Sequence, residues 1–318
     1  MSATDWGLVG DIGATNARFA LVAPDGTLVR ARNLLCDDYD TIGEAIALYL
    51  TRTDATRPTR AVLAVASTPT GDEVRLTNHP WTFSIKALGE QLGIERLRIV
   101  NDFYANALAV PQLAAGDVAK IGGGEAIAAM PIGIIGPGSG LGVSALIPTA
   151  DGPLPIAGEG GHVTMPAADA CESAVLDLMR RRFDHVSAER VLSGPGLVNL
   201  YNALCELEQM PAAQLTAAQI TDPHTNAADV HAREATAMFC AMLGTVAGNL
   251  ALTLGAHGGI YIAGGIVPRL GETFAQSQFR ARFEGKGRFR AYLAAIPTYV
   301  VTRPGAALLG AAKLLKAA

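Results

Sequence analysis

The chain has 318 residues, 50% of them apolar and only 17% charged, with a net charge of −4. So apolar a composition excludes a disordered or strongly charged interaction protein, and the acidic balance argues against a nucleic-acid binder, which carries a basic face. At roughly 150 residues per domain the length suits about two domains.

Strand-like runs open the chain at 7–13, 17–22 and 28–34, and a helical pattern follows near 40–51. Residues 61–66 and 74–77 read as strands, and 84–93 as a helix with Ser84 placed to cap it. A strand at 97–100 leads into a helix near 103–113. The second half carries strand-like runs at 132–135, 142–147, 260–263 and 297–301, with helical patterns near 170–183, 194–207, 229–255 and 304–316. This alternation predicts an α/β fold, and the paired early strands predict a mixed sheet.

The run 235–268 holds no Asp, Glu, Lys or Arg, and Gly244 and Gly248 form a GxxxG pair, so its length alone allows a membrane span. Thr236, Thr245, Asn249, Thr253 and His257 interrupt it, and no basic cluster flanks it. A helix apolar on all sides also suits the core of a large soluble protein, which is the reading adopted here. Cys36, Cys171, Cys205 and Cys240 lack metal or redox spacing and read as reduced, mostly buried thiols of a cytosolic chain. Residues 1–6 lack the basic region of a signal peptide.

Glycine is the anomaly. An average chain of this length carries roughly 22, whereas this one has 35, and 13 of them sit in 133–142, 158–161 and 255–265. Clustered glycine marks backbone that turns tightly or lies close to a ligand. A repeat lies beneath the pattern: the turn at Gly10 recurs at Gly136, the Asp25-Gly26 tip at Asp151-Gly152 and Leu28 at Leu154, all offset by 126 residues. Two glycine-turned hairpins in one register suggest a duplicated unit, one per domain. The glycine turns are not P-loops, since no GxxxxGK[ST] occurs, and GxGxxG fails at Leu141 and Val143. No GxSxG nucleophile elbow exists either. Two strand–turn–strand loops remain, either ordinary hairpins or anion nests for phosphates. Asp11 inside the first favours the second reading, because a carboxylate beside phosphate calls for a cation such as Mg²⁺.

Residues 10–18 (GDIGATNAR) resemble the first phosphate loop of the actin, heat-shock chaperone and sugar-kinase superfamily. Residues 136–142 (GPGSGLG) resemble its second, and 263–267 (AGGIV) its adenosine motif. Asn101-Asp102-Phe103, 158–162 (GEGGH) and 187–194 (SAERVLSG) narrow the resemblance to the bacterial ATP-dependent glucokinase family, over 8 to about 314. The related kinases with a cysteine-rich zinc motif are not matched. The resemblance implies two ribonuclease-H-like domains of the actin-like ATPase or hexokinase fold, with an active-site cleft between them. The small domain would be 1–110 plus 301–318, and the large one 111–300.

It further implies transfer of the γ-phosphoryl of Mg-ATP to O6 of D-glucose, the entry step of glycolysis, by a cytoplasmic homodimer without nucleic-acid or membrane partners. Asp102 is implied as the general base. Asn101, Asp102, Glu159, His162 and Glu189 are implied to bind the sugar. Gly10, Asp11, Ile12, Gly13, Ala14, Thr15, Asn16, Gly138, Ser139, Gly140, Gly264 and Gly265 are implied to bind ATP, with Asp11 holding Mg²⁺ through water.

Taken alone, Asn101-Asp102 at a strand end also reads as a helix cap, and Glu159 with His162 as a surface turn. Glu189 also reads as the first-turn glutamate of a helix capped by Ser187. The family's loop carries glycine where this chain has Ala14, so a negative φ is expected there. A kinase for mannose, fructose or an N-acetylated amino sugar stays open, as does a sugar-sensing regulator. For the regulator, a first strand starting by residue 8 leaves no room for a helix-turn-helix.

Overall fold

A computed structural model describes residues 6–53 and 57–316; the leader reading of residues 1–5 lies outside the described residues. The chain divides into one unit of Met1–Ala114, Pro155–Ala157 and Arg303–Ala318 and another of Ala115–Leu154 and Gly158–Thr302.

In the first unit β1 (Gly7–Ile12), β2 (Asn16–Val22) and β3 (Leu28–Leu35) form an antiparallel meander. β4 (Arg60–Val65) follows, then a short hairpin of β5 (Glu73–Arg75) and β6 (Thr82–Ser84), then β7 (Arg96–Asn101). The main sheet runs β3-β2-β1-β4-β7, with β1, β4 and β7 parallel. β1 and β4 are almost wholly apolar and buried because helices cover a parallel sheet on both faces. Phe19, Leu63 and Ile12 pack with Ile42, Ile46 and Tyr49 of α1 (Ile42–Arg52) and Leu88 of α2 (Ile85–Leu92). Ser84 caps α2 as its sequence predicts, accepting the Ala87 N–H at 3.0 Å. α3 (Asp102–Ala109) leaves the end of β7 directly. It ends four residues before the expected 113, because Pro111 follows in a tighter 3₁₀ turn. The C-terminal helix Ala307–Lys316 lies on α3 so closely that a Cβ on Gly310 would stand 1.8 Å from the Ala105 carbonyl oxygen.

The six-stranded sheet is made of β8 (Val118–Gly122), β9 (Ile132–Pro137), β10 (Leu141–Ile147), β11 (Leu154–Gly158), β12 (Ile260–Ile262) and β13 (Thr298–Val301), all in the second unit except Pro155–Ala157 of β11. Their order is β11-β10-β9-β12-β13-β8. β9–β10 is an antiparallel hairpin, and β9, β12 and β13 are parallel. α4 (Ala170–Arg180), α5 (Gly194–Leu207) and the 25-residue helix Val230–Leu254 pack beside the sheet. The long helix is apolar enough to cross a membrane. Here, however, Phe239, Cys240 and Leu243 are fully buried, and its two GxxxG glycines receive helix Phe279–Glu284. A Cβ on Gly244 would sit 2.2 Å from the Phe279 carbonyl oxygen, and one on Gly248 2.6 Å from that of Phe283.

The repeat is visible in the turns. Gly26 donates its N–H to the Ala23 carbonyl and Gly152 to that of Thr149, with both glycines at positive φ (89° and 110°). β3 and β11 then begin at Leu28 and Leu154. Each sheet thus contains the same three-strand run beside parallel strands, β3-β2-β1 in one and β11-β10-β9 in the other, with β8 preceding the second in sequence.

Candidate active site

The first glycine loop is the β1–β2 turn. Gly13 donates to the Asn16 carbonyl at 2.9 Å, closing residues 13–16 into a tight turn with Thr15 exposed at its crest. Cys36, at the end of β3, holds this turn from behind: its N–H bonds the Thr15 carbonyl at 2.9 Å, and its buried thiol lies 3.5 Å from the Gly13 carbonyl. The Asn33 amide donates to Asn16 Oδ1 at 2.7 Å. Ala14 stays outside the left-handed region, as expected for a tolerated alanine. Gly10 has a packing reason of its own, since a Cβ there would meet Leu63 at 2.7 Å and Phe19 at 3.2 Å. The Ile12 side chain is likewise in the core, leaving only its backbone for a ligand.

Asp11 faces Arg18 across the hairpin at 3.5 Å. Burial pushes its carboxyl above the usual carboxylate range, and the Arg18 guanidinium offsets part of that rise. A divalent cation beside Asp11 would reverse the cost of burying its charge. Among the described residues no group of three or more His, Cys, Asp or Glu gathers. One carboxylate completed by waters and phosphate oxygens is how Mg²⁺ is commonly held, so the residues fit that ion.

Asn101 and Asp102 emerge from the carboxyl end of β7. Asn101 caps α3, its Oδ1 accepting the Phe103 and Tyr104 N–H groups at 2.9 and 3.1 Å, while its amide reaches the Ser67 carbonyl at 3.3 Å. Asp102 occupies the first helical position, half-buried, with Oδ1 2.9 Å from the Phe103 N–H. The register aligns Ile12 with Val65 and Val65 with Asn101. Asp11 and Asp102 therefore leave the same sheet edge two strands apart, about 10 Å by ordinary strand spacing. The carboxyl edge of parallel strands is where α/β folds bind ligands.

In the second unit the β9–β10 turn is closed by Gly138 donating to the Gly140 carbonyl at 2.8 Å, with Ser139 exposed at its tip. A Cβ on Gly138 would meet nothing within 4 Å, so that backbone is open to an approaching group. Gly264 (φ 84°) presses on the Pro137 carbonyl, where a Cβ would sit 2.3 Å away, and places Gly265 beside the same turn. Glu159 and His162 are exposed on the short turn after β11, with His162 donating its N–H to the Glu159 carbonyl at 3.0 Å. Glu189 reaches the β9–β10 turn itself, its Oε2 accepting the Leu141 N–H at 2.8 Å.

Ser187 does not cap a helix, contrary to expectation. Its hydroxyl accepts the Arg190 N–H within a turn, and the helix starts later, capped by Ser193. Three residues at these turns are not singled out by the sequence: Arg18 and Leu141 stand there only within loop motifs, and Cys36 only as a buried thiol. A signal for Arg18 existed in the hairpin register, which sets it opposite Asp11.

A family model described as glucokinase matches residues 8–318. A glucokinase of Paramagnetospirillum magneticum is 52% identical over 310 residues, covering 97% of each chain. A glucokinase crystal structure from an Antarctic psychrotroph superposes with a TM-score of 0.86 at 35% identity, covering 99% of both chains. The glucokinase of Balamuthia mandrillaris, solved in complex with glucose, shares the fold with a TM-score of 0.80 at 21% identity, over 98% of this chain and 94% of that one.

Proposed function

The chain belongs to the glucokinase family of ATP-dependent hexose phosphotransferases, and on that premise we propose how its own residues carry out the transfer to D-glucose. Asp102 accepts the proton of the sugar's 6-hydroxyl as O6 attacks the γ-phosphorus and the bond to the bridging oxygen of ADP breaks. A positioned base contributes about 10²–10⁴ in rate. Because phosphoryl transfer is loose, positioning and charge neutralisation supply the rest. The backbone of Gly10, Ile12, Gly13, Ala14, Thr15 and Asn16, with that of Gly138, Ser139 and Gly140, holds the phosphates, and Gly264 and Gly265 lie along the adenosine. Asp11 would hold Mg²⁺ with waters completing its shell, and the ion would supply positive charge against the phosphates. Asn101, Glu159, His162 and Glu189 read the sugar hydroxyls. Asn101 does so with the amide hydrogen not used on the Ser67 carbonyl, since its oxygen is committed to the α3 cap.

One observation supports this reading above the others: Asp102 sits half-buried at the carboxyl edge of the same parallel strands that present Asp11 and the first turn. A coupled ADP-release assay across hexoses tests it. Glucose should be the preferred acceptor, and Asp102→Asn should nearly abolish turnover. Equal rates on all hexoses, or an active Asp102→Asn, would sink the assignment. We place the enzyme in the cytoplasm and propose that it is a homodimer; sedimentation analysis of the purified chain checks the dimer.

A further inference from the structure

Glu189 is tied into the second phosphate turn by bonds that have nothing to do with a sugar. Its Oε2 accepts the Leu141 N–H at 2.8 Å, and its own N–H donates to the Gly161 carbonyl at 2.8 Å. Gly161 in turn lies bare against the Leu141 carbonyl, where a Cβ would stand 2.0 Å from the oxygen. Leu141, Gly161 and Glu189 therefore close a triangle in which each fixes the next. The chain after Glu189 continues the grip. The Ser193 hydroxyl donates to the Glu189 carbonyl at 2.7 Å, and the Gly194 N–H donates to the Gly138 carbonyl at 2.8 Å. Segment 187–194 thus holds the turn 138–141 at both ends, by the carbonyl of its first residue and the amide of its last.

We infer that Glu189 is a positioning residue for the second phosphate turn, so that sugar recognition and nucleotide binding are coupled through one carboxylate. The sugar half of this statement rests on the role proposed above for Glu189; the nucleotide half rests on the contacts alone. A charge-assisted hydrogen bond to a backbone N–H is among the stronger ties available to a turn. With the Leu141 amide held by the carboxylate, the exposed tip at Ser139 keeps one orientation toward an incoming phosphate. The second carboxylate oxygen can take a sugar hydroxyl, which fixes the side chain and with it the turn. Coupling of this kind is reciprocal: bound nucleotide raises sugar affinity by the factor with which sugar raises nucleotide affinity.

The test is binding of a non-hydrolysable ATP analogue with Mg²⁺, measured by calorimetry without sugar, to the wild type, Glu189→Gln and Glu189→Ala. A residue that only reads the sugar leaves this affinity unchanged. Positioning predicts that Glu189→Ala weakens it by roughly five-fold or more, whereas Glu189→Gln, whose amide oxygen still accepts the Leu141 N–H, stays within about two-fold. An alanine variant within about two-fold of wild type overturns the inference. Amide hydrogen exchange on the wild type serves if the alanine variant fails to fold. Leu141 should then be strongly protected in the ligand-free enzyme, and rapid exchange there overturns the proposal equally. Glucose affinity of the glutamine variant is read separately. If it is unchanged, the sugar role fails while the nucleotide result still decides the positioning role.

Discussion

Asp102 and Glu189 are both carboxylates beside a bound sugar in this scheme, yet their substitutions should behave differently. Asp102→Asn keeps size and hydrogen bonding but cannot take up the proton, so kcat should fall by about 10²–10⁴ with glucose binding largely kept. A kcat within a few-fold of the parent would make Asp102 a structural residue. Glu189→Gln should raise the glucose KM more than it lowers kcat, because a hydroxyl contact acts in ground and transition states alike. Ala14→Gly should be mild, since Ala14 is not strained, changing the ATP KM by no more than about three-fold. Asp11 makes a prediction about pH. Its carboxyl is raised above its unfolded value by burial, so the neutral form favours folding and that advantage is lost as pH rises through the folded value. Asp11→Asn should therefore gain thermal stability relative to wild type as pH climbs from about 4 toward neutrality, while losing Mg-nucleotide affinity. Melting curves across that range, without nucleotide, check the sign.

Among the elements, α3 joins stability to the proposed chemistry, since Asp102 is its first residue. Asn101→Ala removes the cap and should cost about 1 kcal/mol, whereas Asn101→Asp keeps a capping oxygen and should recover most of that loss in denaturant titrations. Gly310→Ala forces a Cβ against the Ala105 carbonyl, so α3 must shift. Overpacking of this kind costs about 1–3 kcal/mol, and kcat should fall because Asp102 rides on the displaced helix. An unchanged kcat would mean that the base is positioned by β7 alone. These elements also show what a sequence can and cannot declare. The helix 194–207 and the cap Ser84 were legible because periodicity and capping chemistry are local. β8 and β11 were not, since VAKIG and LPIAG are five-residue runs interrupted by Lys120, Pro155 and glycine and take their strand form from neighbours in the sheet. The short helices between residues 217 and 294 escaped for the same reason, being one or two turns long and stabilised by packing. At the site, the glycine turns and strand-end carboxylates were legible as types. The Glu189–Leu141 bond joins residues 48 positions apart and required the fold.

For the molecule as a whole, the 126-residue repeat has become two copies of one meander that serve different ends. In the first copy the turn carries Asp11 and is backed by Cys36; in the second the turn carries no acid and is backed by Glu189. The first unit is also discontinuous in sequence, its last helix arriving at residues 307–316. That arrangement has a consequence for birth on the ribosome. At about 5–20 residues per second, the roughly 200 residues separating α3 from its backing helix take on the order of 10–40 s to synthesise. Throughout that interval Ala105 of the nascent chain has no Gly310 to rest against, and the second unit, contiguous but for three residues, is finished at Thr302 before that helix is made. Asp102, the base proposed above, is thus made within the first third of the chain and backed only at its end, so a nascent chain arrested before residue 307 should be able to fold its second unit yet phosphorylate nothing.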